Sequence, residues 1–273
     1  MAHSGIGMIG VGNMASAIAK AIVKAVPNQK LYLANRTASK IEALASELQV
    51  SQVKMESVGE ELIQTCDLIF IGVKPKDIKA LFNTLTASLN TSHSITWISM
   101  ASNVSIAELS RLTPKHHNWL RIMPNTPVEV GEGFTSYCYE AGELSEEILD
   151  RFRNVMSASG SLSEIPETLF DAASGLAGCS PAFIYQLIEA MSDAGVAYGL
   201  SRDQSVQMAA QAVKGAASMV LETDQHPAQL KDAVTSPGGT TIAGVNALEA
   251  AGFRSAIIKG ISASIEKTRE LQQ

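Results

Sequence analysis

Residues 6–15, IGMIGVGNMA, decide the fold of this chain, because an apolar run passes without a break into the pattern G-x-G-x-x-A. Gly10 is predicted to make a tight turn, and Gly12 to let a pyrophosphate approach the backbone. Asn13 and Met14 open a predicted helix, whose free N–H groups would face the phosphates. The pattern therefore predicts a dinucleotide site at the first strand–helix junction. A tight turn without a ligand is the alternative.

Outward from this junction, strand patterns alternate with helix patterns up to about residue 165. Such alternation indicates βαβ units and a parallel, doubly wound sheet of the Rossmann type. We therefore predict an α/β fold with a dinucleotide-binding domain over residues 1–165. The predicted strands are 6–9, 31–34, 67–73, 94–99 and 134–139, and the predicted helices are 14–26, 38–48 and 145–156.

The chain from residue 166 onward follows a different pattern, with five or six helical segments and no strands. These segments are rich in Ala, Gly and Ser, as in residues 209–217, and small residues let helices pack closely. So little bulk indicates that another helical layer covers them. We predict an all-α C-terminal domain over residues 166–273 that forms a homodimer or a higher homo-oligomer. A compact monomeric bundle is the alternative.

The end of the second predicted strand favours one nicotinamide cofactor over the other. An NAD site places Asp or Glu there for the ribose 2′-hydroxyl, whereas this chain has Asn35 and Arg36, with Lys40 shortly after. A carboxylate would repel a 2′-phosphate, and the guanidinium of Arg36 offers it a planar set of donors. We therefore predict NADPH as the cofactor and NADH as a weaker substitute. A solvated basic patch at a helix start is the alternative.

Further candidate residues follow later strands, at the sheet edge where doubly wound folds bind their ligands. Val73, Lys74 and Pro75 end the third evident strand, and Lys74 is predicted to face the cofactor, with a plain surface lysine as the alternative. Ala101 follows the next strand. Asn125 lies between two prolines, which would hold its polar amide rigidly near a ring. These residues complete the predicted cofactor site.

A hydroxyl-rich loop with two glycines, residues 232–242, leads into a predicted helix over residues 240–250. The free N–H groups at such a helix start form a cradle for a carboxylate, and bare glycines let a ligand lie against the backbone. A helix cap without a ligand is the alternative. The loop residues that would take part are Ser236, Gly238, Gly239, Thr240 and Thr241.

Charge and composition argue against two classes of partner. The formal net charge is −6, and nucleic-acid binding needs clustered Lys and Arg to neutralise phosphates. A long uncharged stretch between Lys79 and Glu108 carries too many Ser, Thr and Asn residues for a membrane span. The N-terminus lacks the pattern of a signal peptide. We expect no nucleic acid, no membrane and a cytoplasmic location.

The three cysteines are Cys66, Cys138 and Cys179, and their wide separation predicts free thiols of a reducing compartment. No Cys-x-x-Cys pair occurs, and no His pair stands at metal-ligand spacing with them. His116 and His117 follow a proline and are predicted to lie in a surface loop, with a metal site as the alternative. No metal is therefore predicted.

Several motifs occur in the same order over nearly the whole chain, and together they resemble the pyrroline-5-carboxylate reductase family. The most specific is residues 236–242, SPGGTTI, followed by Val245, Leu248 and Glu249. The other matching segments are 9–14 (IGVGNM), 73–75 (VKP), 123–127 (MPNTP), 175–182 (GLAGCSPA) and 252–254 (GFR).

The resemblance implies reduction of Δ1-pyrroline-5-carboxylate, a cyclic imine carboxylate, to L-proline, with hydride transfer to C5 of the imine. It also implies a helical C-terminal domain that interlocks with a partner subunit. Carried over to this sequence, Thr241 would be the catalytic residue and hydrogen-bond the ring nitrogen. The N–H groups of residues 239–241, with Ser236, would hold the carboxylate. Glu167 matches an acidic residue that the family places near the substrate nitrogen.

Three positions depart from the family pattern. Asn103 replaces a glycine that is usual after the fourth strand, and Asn tolerates a positive φ better than most residues. Gly59 stands where family members often carry Asn near the adenosine. Cys179 and Ser180 replace Ser and Gly. These departures bear on affinity more than on hydride transfer.

Two other functions remain open on the sequence. An NADP-dependent β-hydroxyacid dehydrogenase shares the domain order, but those enzymes use a lysine on an early C-terminal helix. No lysine occurs here between Asp150 and Val213, which weighs against this reading. A non-catalytic NADP sensor would have little need for an intact loop over residues 236–241.

Overall fold

The computed structural model describes residues 4–37, 39–140 and 144–271, which fall into two compact units. The first unit extends to Gly178 and includes the chain from Lys267 onward, and the second is Cys179–Glu266. The predicted domain boundary at residues 165/166 lies earlier than this division. The segment between the two boundaries belongs to the first unit because its Phe170 is fully buried against the sheet.

The first unit is built on one sheet, with the strand order β3-β2-β1-β4-β5-β6-β7-β8. Strands β1 to β6 pair in parallel, in the spatial order of a Rossmann fold. The strands are β1 Gly5–Ile9, β2 Leu31–Ala34, β3 Ser51–Val53, β4 Cys66–Ile71, β5 Thr96–Ser99, β6 Asn118–Pro124, β7 Gly133–Tyr139 and β8 Gly160–Glu164.

Helices connect these strands and form the second unit. No helix in the described part of the chain is long and apolar enough to cross a membrane. The helices are α1 Asn13–Ala25, α2 Ser39–Leu48, α3 Pro75–Leu85, α4 Ile106–Leu109, α5 Glu146–Val155, α6 Phe170–Ala173, α7 Ser180–Ala197, α8 Arg202–Thr223, α9 Pro227–Ala233, α10 Thr240–Ala250 and α11 Phe253–Glu270.

The junction between β1 and α1 forms because both elements bury apolar residues on one another. All five residues of β1 are buried. On α1, Ala15, Ile18 and Ile22 stand at helical spacing and cover the sheet with a single face. A fully buried Ile stabilises the fold by about 1.5–3 kcal/mol. The opposite face of the sheet holds α3 and an aromatic cluster of Phe82, Trp97 and Trp119. This packing fixes the turn between β1 and α1.

The sheet departs from the predicted parallel arrangement at one edge. β7 pairs antiparallel with β6, and β8 runs parallel to β7. The reason is the short connection between β6 and β7, residues 125–132, which contains only the helical turn Thr126–Val130. A parallel crossover needs about a dozen residues or more, so this connection can form only an antiparallel pair.

The sequence prediction also gave no bounds for several elements. β3 and β8 are short edge strands with exposed or half-buried polar residues, and β6 carries the polar side chains of Asn118 and Arg121. α3 buries Ile78, Leu81 and Phe82, so its helical spacing was present in the sequence. The prediction missed it because it treated this region as a polar, uncharged stretch. The other predicted strands and helices are confirmed to within a few residues at their ends.

The second unit has almost no core of its own. Among its described residues only Ser192, Ser205 and Ala209 are buried, and Gly195 lets α7 approach the Ser205 hydroxyl on α8. Large apolar side chains are exposed instead, and they could be buried only if another surface covered them. These include Tyr185, Tyr198, Met208, Leu221, Leu248 and Ile258. The predicted covering layer is consistent with this exposure.

The prediction of a surface loop was wrong for His117. Its ring is 5% exposed and fully hydrogen-bonded. Nδ1 accepts from the N–H of Ile95 at 3.0 Å, and Nε2 donates to the carbonyl of Leu89 at 2.8 Å. Burial lowers the pKa of His117 from 6.5, and the neighbouring His116 and His93 lower it further, although the Leu89 carbonyl opposes them. His117 is therefore a neutral structural residue.

This geometry predicts a loss of stability in acid. The unfolded chain binds a proton at His117 near pH 6.5, whereas the folded chain resists protonation. The stability that neutral His117 contributes to the fold is fully present above pH 6.5. It is lost as the pH falls through the lower pKa of His117 in the folded chain. Urea unfolding measured from about pH 8 to about pH 5 should therefore show a smaller pH slope for His117→Gln than for wild type. His116→Gln, at the exposed neighbour, is the control: it removes a smaller influence on the pKa of His117 than burial, so its slope should stay closer to wild type than that of His117→Gln. Equal slopes in all three proteins would contradict the prediction.

Candidate active site

A cleft of about 850 Å³ lies where β1, β2 and β4 end, at the carboxyl edge of the sheet. Doubly wound folds bind their ligands at this edge. The sequence predicted this location and six of the lining residues, which are Gly10, Gly12, Asn35, Arg36, Val73 and Lys74. The remaining lining residues include Met55 and five positions on α3, none of which was predicted.

The backbone of the cleft is shaped for a ligand to approach closely. Gly10 has φ +87°, and a Cβ on it would lie 2.5 Å from the Val73 side chain, so only glycine fits. A Cβ on Gly12 would meet nothing within 4 Å, which leaves the start of α1 open. Gly12 is the residue before α1, and no side chain caps that helix. The turn therefore fits the pyrophosphate that the sequence pattern predicted.

Asn35 supports this turn from the end of β2. Its Oδ1 accepts from the Val11 N–H at 3.2 Å, and its Nδ2 donates to the Thr37 carbonyl at 3.0 Å. Asn35 thereby ties the glycine turn to the loop that carries Arg36. Lys40 was predicted for the same loop, but its side chain lies outside the described residues.

Several other predicted cofactor residues lie at the edge of the sheet but do not line the cleft. Asn13 and Met14 form the first turn of α1, and Pro75 is the first residue of α3. Ala101 is buried, and its N–H donates to the Ser99 hydroxyl at 3.3 Å. Their contacts with a cofactor remain predictions.

Asn125 is held by the protein at both ends of its amide. Oδ1 accepts from the Phe134 N–H at 2.8 Å, and Nδ2 donates to the Ala177 carbonyl at 3.0 Å. The side chain therefore joins the turn after β6 to the segment Ser174–Gly178. This segment also belongs to the first unit, directly before the chain enters the second. Its contact with a nicotinamide ring remains a prediction.

Asn125→Asp is expected to lower the free energy of unfolding by about 1–3 kcal/mol. The carboxylate keeps the acceptor for Phe134 but places an unprotonated oxygen against the Ala177 carbonyl. Urea unfolding followed by circular dichroism measures the change. Asn83→Asp, on an exposed position of α3, is the matched control, and an equal loss there would mean that added charge alone is responsible.

Glu167 lies beside a buried arginine that the sequence prediction missed. Its Oε1 accepts from Arg121 Nη1 at 2.9 Å and from the Ile106 N–H at 2.8 Å. The Arg121 side chain is 6% exposed, stacks on Phe170 at 4.7 Å, and has no partner for its Nε. These residues border a second, polar pocket of about 410 Å³. An arginine inside a β-strand pattern gives no sequence signal for such a pair.

The predicted substrate loop lies in the second unit. Gly239 precedes α10 without a side-chain cap, so the first N–H groups of that helix lack helical acceptors. Gly238 has φ +68°, which favours glycine. A Cβ on Gly239 would lie 2.3 Å from Ser236 Oγ, so the loop packs tightly on itself. Thr241 is exposed at the start of the helix.

Two of the three departures from the family pattern have local explanations. Asn103 adopts φ +63°, so this Asn does take the left-handed conformation expected at its position. A Cβ on Gly59 would lie 2.0 Å from Ser88 Oγ, so an asparagine there would require Ser88 to move.

Cys66 and Cys138 are buried, and burial raises the pKa of each thiol to about 12. Within the described residues, no cluster of His, Cys, Asp and Glu could hold a metal ion.

A Rossmann-type sheet, a glycine turn with an open helix start and a cleft lined by Arg36, Lys74 and Lys76 define a dinucleotide-binding protein. Relatives that match nearly the whole chain carry the name pyrroline-5-carboxylate reductase. The protein of Escherichia coli K12 is 36% identical, and the match covers 98% of this chain and 98% of the relative. The protein of Pisum sativum is 35% identical, and the match covers 97% of this chain and 95% of the relative. The chain belongs to the pyrroline-5-carboxylate reductase family. The predicted resemblance is confirmed.

Family models and solved structures agree with this assignment. Residues 167–271 match the family "pyrroline-5-carboxylate reductase dimerisation", and residues 5–102 match "NADP oxidoreductase coenzyme F420-dependent". The Coxiella burnetii pyrroline-5-carboxylate reductase is 28% identical, with full coverage of both chains and a TM-score of 0.89. The Plasmodium falciparum enzyme, solved with NADP bound, is 31% identical over 99% of this chain and 98% of its own, with a TM-score of 0.83. The predicted fold class is confirmed.

Proposed function

We propose that this protein reduces Δ1-pyrroline-5-carboxylate to L-proline, using NADPH in preference to NADH. The observation that carries the proposal is the family match over 98% of the chain, in which the loop 236–241 is intact. NADP in the Plasmodium falciparum relative supports the same class of cofactor here.

The cleft of the first unit provides the groups that would hold the cofactor. The turn from Gly10 to Gly12 and the start of α1 would hold the pyrophosphate, since both leave N–H groups open. Arg36 would bind the 2′-phosphate and Lys74 would face the cofactor. No ion pair among the described residues involves either cation, so both are available to an anion.

The loop of the second unit would hold the substrate. N–H groups of residues 239–241, with Ser236, would bind the carboxylate, and the Thr241 hydroxyl would orient the ring nitrogen. Glu167 would lie near that nitrogen. Bound NADPH would supply the hydride for C5 of the imine. The nitrogen would take the electron pair of the C=N bond, keep the proton that makes the imine electrophilic, and receive a second proton from water through Thr241.

This chemistry explains why the proposed site needs no strong general acid. A protonated imine is already electrophilic, whereas a ketone develops charge on oxygen during reduction. Thr241 would therefore orient the nitrogen and relay a proton from water. Positioning of the two reactants would contribute much of the rate.

The proposal extends to the organisation of the protein. Residues 1–165 would bind the cofactor, and residues 166–273 would bind substrate and associate with a second copy as a homodimer or a higher homo-oligomer. The exposed apolar side chains of the second unit support this association. A cytoplasmic location is proposed on the three free thiols.

The proposed function is tested by NADPH oxidation with the purified protein and pyrroline-5-carboxylate, followed by detection of proline. The same assay with NADH measures the cofactor preference. A β-hydroxyacid with NADP⁺ is the negative control. Turnover that is faster with the hydroxyacid, or NADPH binding without turnover of the imine, would refute the proposal.

A further inference from the structure

Helix α3 presents one face to the cofactor cleft. Lys76, Ala80 and Thr84 stand four residues apart and form a line along the helix, with Asp77 and Leu81 beside them. From Lys76 to Thr84 the helix rises about 12 Å. This wall has a charged beginning and an apolar middle, where a flat ring could lie. Its first residue is therefore placed to meet a charged part of the ligand.

Arg36 and Lys76 reach this cleft from opposite sides of β1. The sheet order places β2 on one side of β1 and β4 on the other. Arg36 follows β2 and Lys76 lies at the start of α3 after β4, and both line the same cleft. The glycine turn after β1 lies between them. The cleft thus carries one cation on each of its walls.

The three cations that line the cleft, Arg36, Lys74 and Lys76, form no ion pair with any described residue. Asp77 is the acidic residue that lines the cleft with them. An anion bound in the cleft would be attracted to all three cations. The cleft is therefore complementary to a ligand with more than one negative charge.

We propose that Lys76 is a second cation for the 2′-phosphate of NADPH, sharing it with Arg36, and that it contributes to the choice of NADPH over NADH. A phosphate monoester carries a charge of about −1.5 to −2, which one guanidinium does not neutralise. The pyrophosphate would have its own cradle in the glycine turn. Lys74 is the lysine nearer to that turn, because it follows Val73, whose side chain would lie 2.5 Å from a Cβ on Gly10. The inference rests on the role proposed for Arg36.

The test measures the affinity of the full-length protein for three nucleotides by titration calorimetry. These are 2′,5′-ADP, which has the 2′-phosphate, 5′-AMP, which lacks it, and ADP, which has a diphosphate instead. Lys76→Ala should weaken binding of 2′,5′-ADP about five-fold, the loss expected for one exposed ion pair, and leave 5′-AMP and ADP unchanged. Lys79→Ala, an exposed lysine on α3 outside the cleft, should leave all three affinities unchanged.

A double variant tests the shared site. When two side chains bind one phosphate, their effects couple, so the losses of Arg36→Ala and Lys76→Ala should not simply multiply. Independent losses would overturn the shared site. If Lys76→Ala lost as much affinity for ADP as for 2′,5′-ADP, the lysine would bind the diphosphate instead. Unchanged affinity for 2′,5′-ADP would show that Lys76 does not bind the 2′-phosphate. None of these binding results depends on turnover of the imine, so they do not test the proposed reaction. If Arg36→Ala bound 2′,5′-ADP normally, the proposed role of Arg36 would be refuted, and with it the proposal that Arg36 and Lys76 share the 2′-phosphate.

Discussion

Thr241→Ala is expected to lower kcat for pyrroline-5-carboxylate about 100-fold and to leave the Kd for NADPH within about two-fold. The hydroxyl is exposed at the start of α10, where it would orient the ring nitrogen and relay its proton. The cofactor cleft is formed by residues of the first unit, and Thr241 belongs to the second. Steady-state NADPH oxidation gives kcat, and fluorescence titration with NADPH gives the Kd.

Two further variants separate the hydroxyl of Thr241 from the structure of its loop. Thr241→Ser keeps a hydroxyl and should restore most of the turnover. Thr235→Ala removes another hydroxyl of the same loop, which donates to the Asp232 carbonyl at 3.0 Å, and should keep near-normal kcat. If Thr241→Ala weakened NADPH binding as much as turnover, the residue would support the fold rather than the chemistry.

Arg36→Ala is expected to weaken NADPH binding about 10- to 100-fold and to leave NADH binding nearly unchanged. Charged hydrogen bonds contribute about 1.5–3 kcal/mol, which corresponds to this range of affinity. The selectivity follows because only NADPH carries the 2′-phosphate that the guanidinium would hold. Titration of both cofactors by fluorescence measures the two dissociation constants.

The matched control for Arg36 is Arg111, an exposed arginine of the same unit that does not line the cleft. Arg111→Ala should change neither affinity by more than about two-fold. Raised ionic strength should weaken the NADPH affinity of the wild type more than that of Arg36→Ala. Salt screens the attraction between Arg36 and the 2′-phosphate, which the variant lacks. An unchanged preference for NADPH in Arg36→Ala would show that another residue recognises the 2′-phosphate.

Local patterns were sufficient for the elements that form the centre of the first unit. β1 and α1 could be predicted because a buried strand, a glycine turn and an amphipathic helix follow one another without a break. The reversal of β7 was not predicted, because strand periodicity gives no direction of pairing. β6 was also hard to bound, because Arg121 is buried within it by pairing with Glu167, a residue distant in sequence.

The same distinction applies to the site. Arg36 and Lys74 could be predicted because each directly follows a strand whose end must lie at the ligand edge. Lys76 and Met55 could not, because their place in the cleft depends on how α3 and the turn after β3 pack on the sheet. His117 was wrongly assigned to the surface for a related reason, since its partners Ile95 and Leu89 are brought to it only by the fold.

The sequence by itself determined the class of fold, the turn that would receive the pyrophosphate, the family and the loop that would bind substrate. The turn and the loop each depend on residues within a few positions of one another, where spacing and side-chain chemistry are sufficient. The fold class and the family rest on such local patterns recurring in order along the chain. Only the tertiary structure decided the antiparallel edge of the sheet, the Arg121–Glu167 pair, the attachment of Asn125 to Ala177 and the place of Lys76 in the cleft. These features join residues far apart in the chain, and their partners are selected by packing and by the need to satisfy buried polar groups, which no local pattern records.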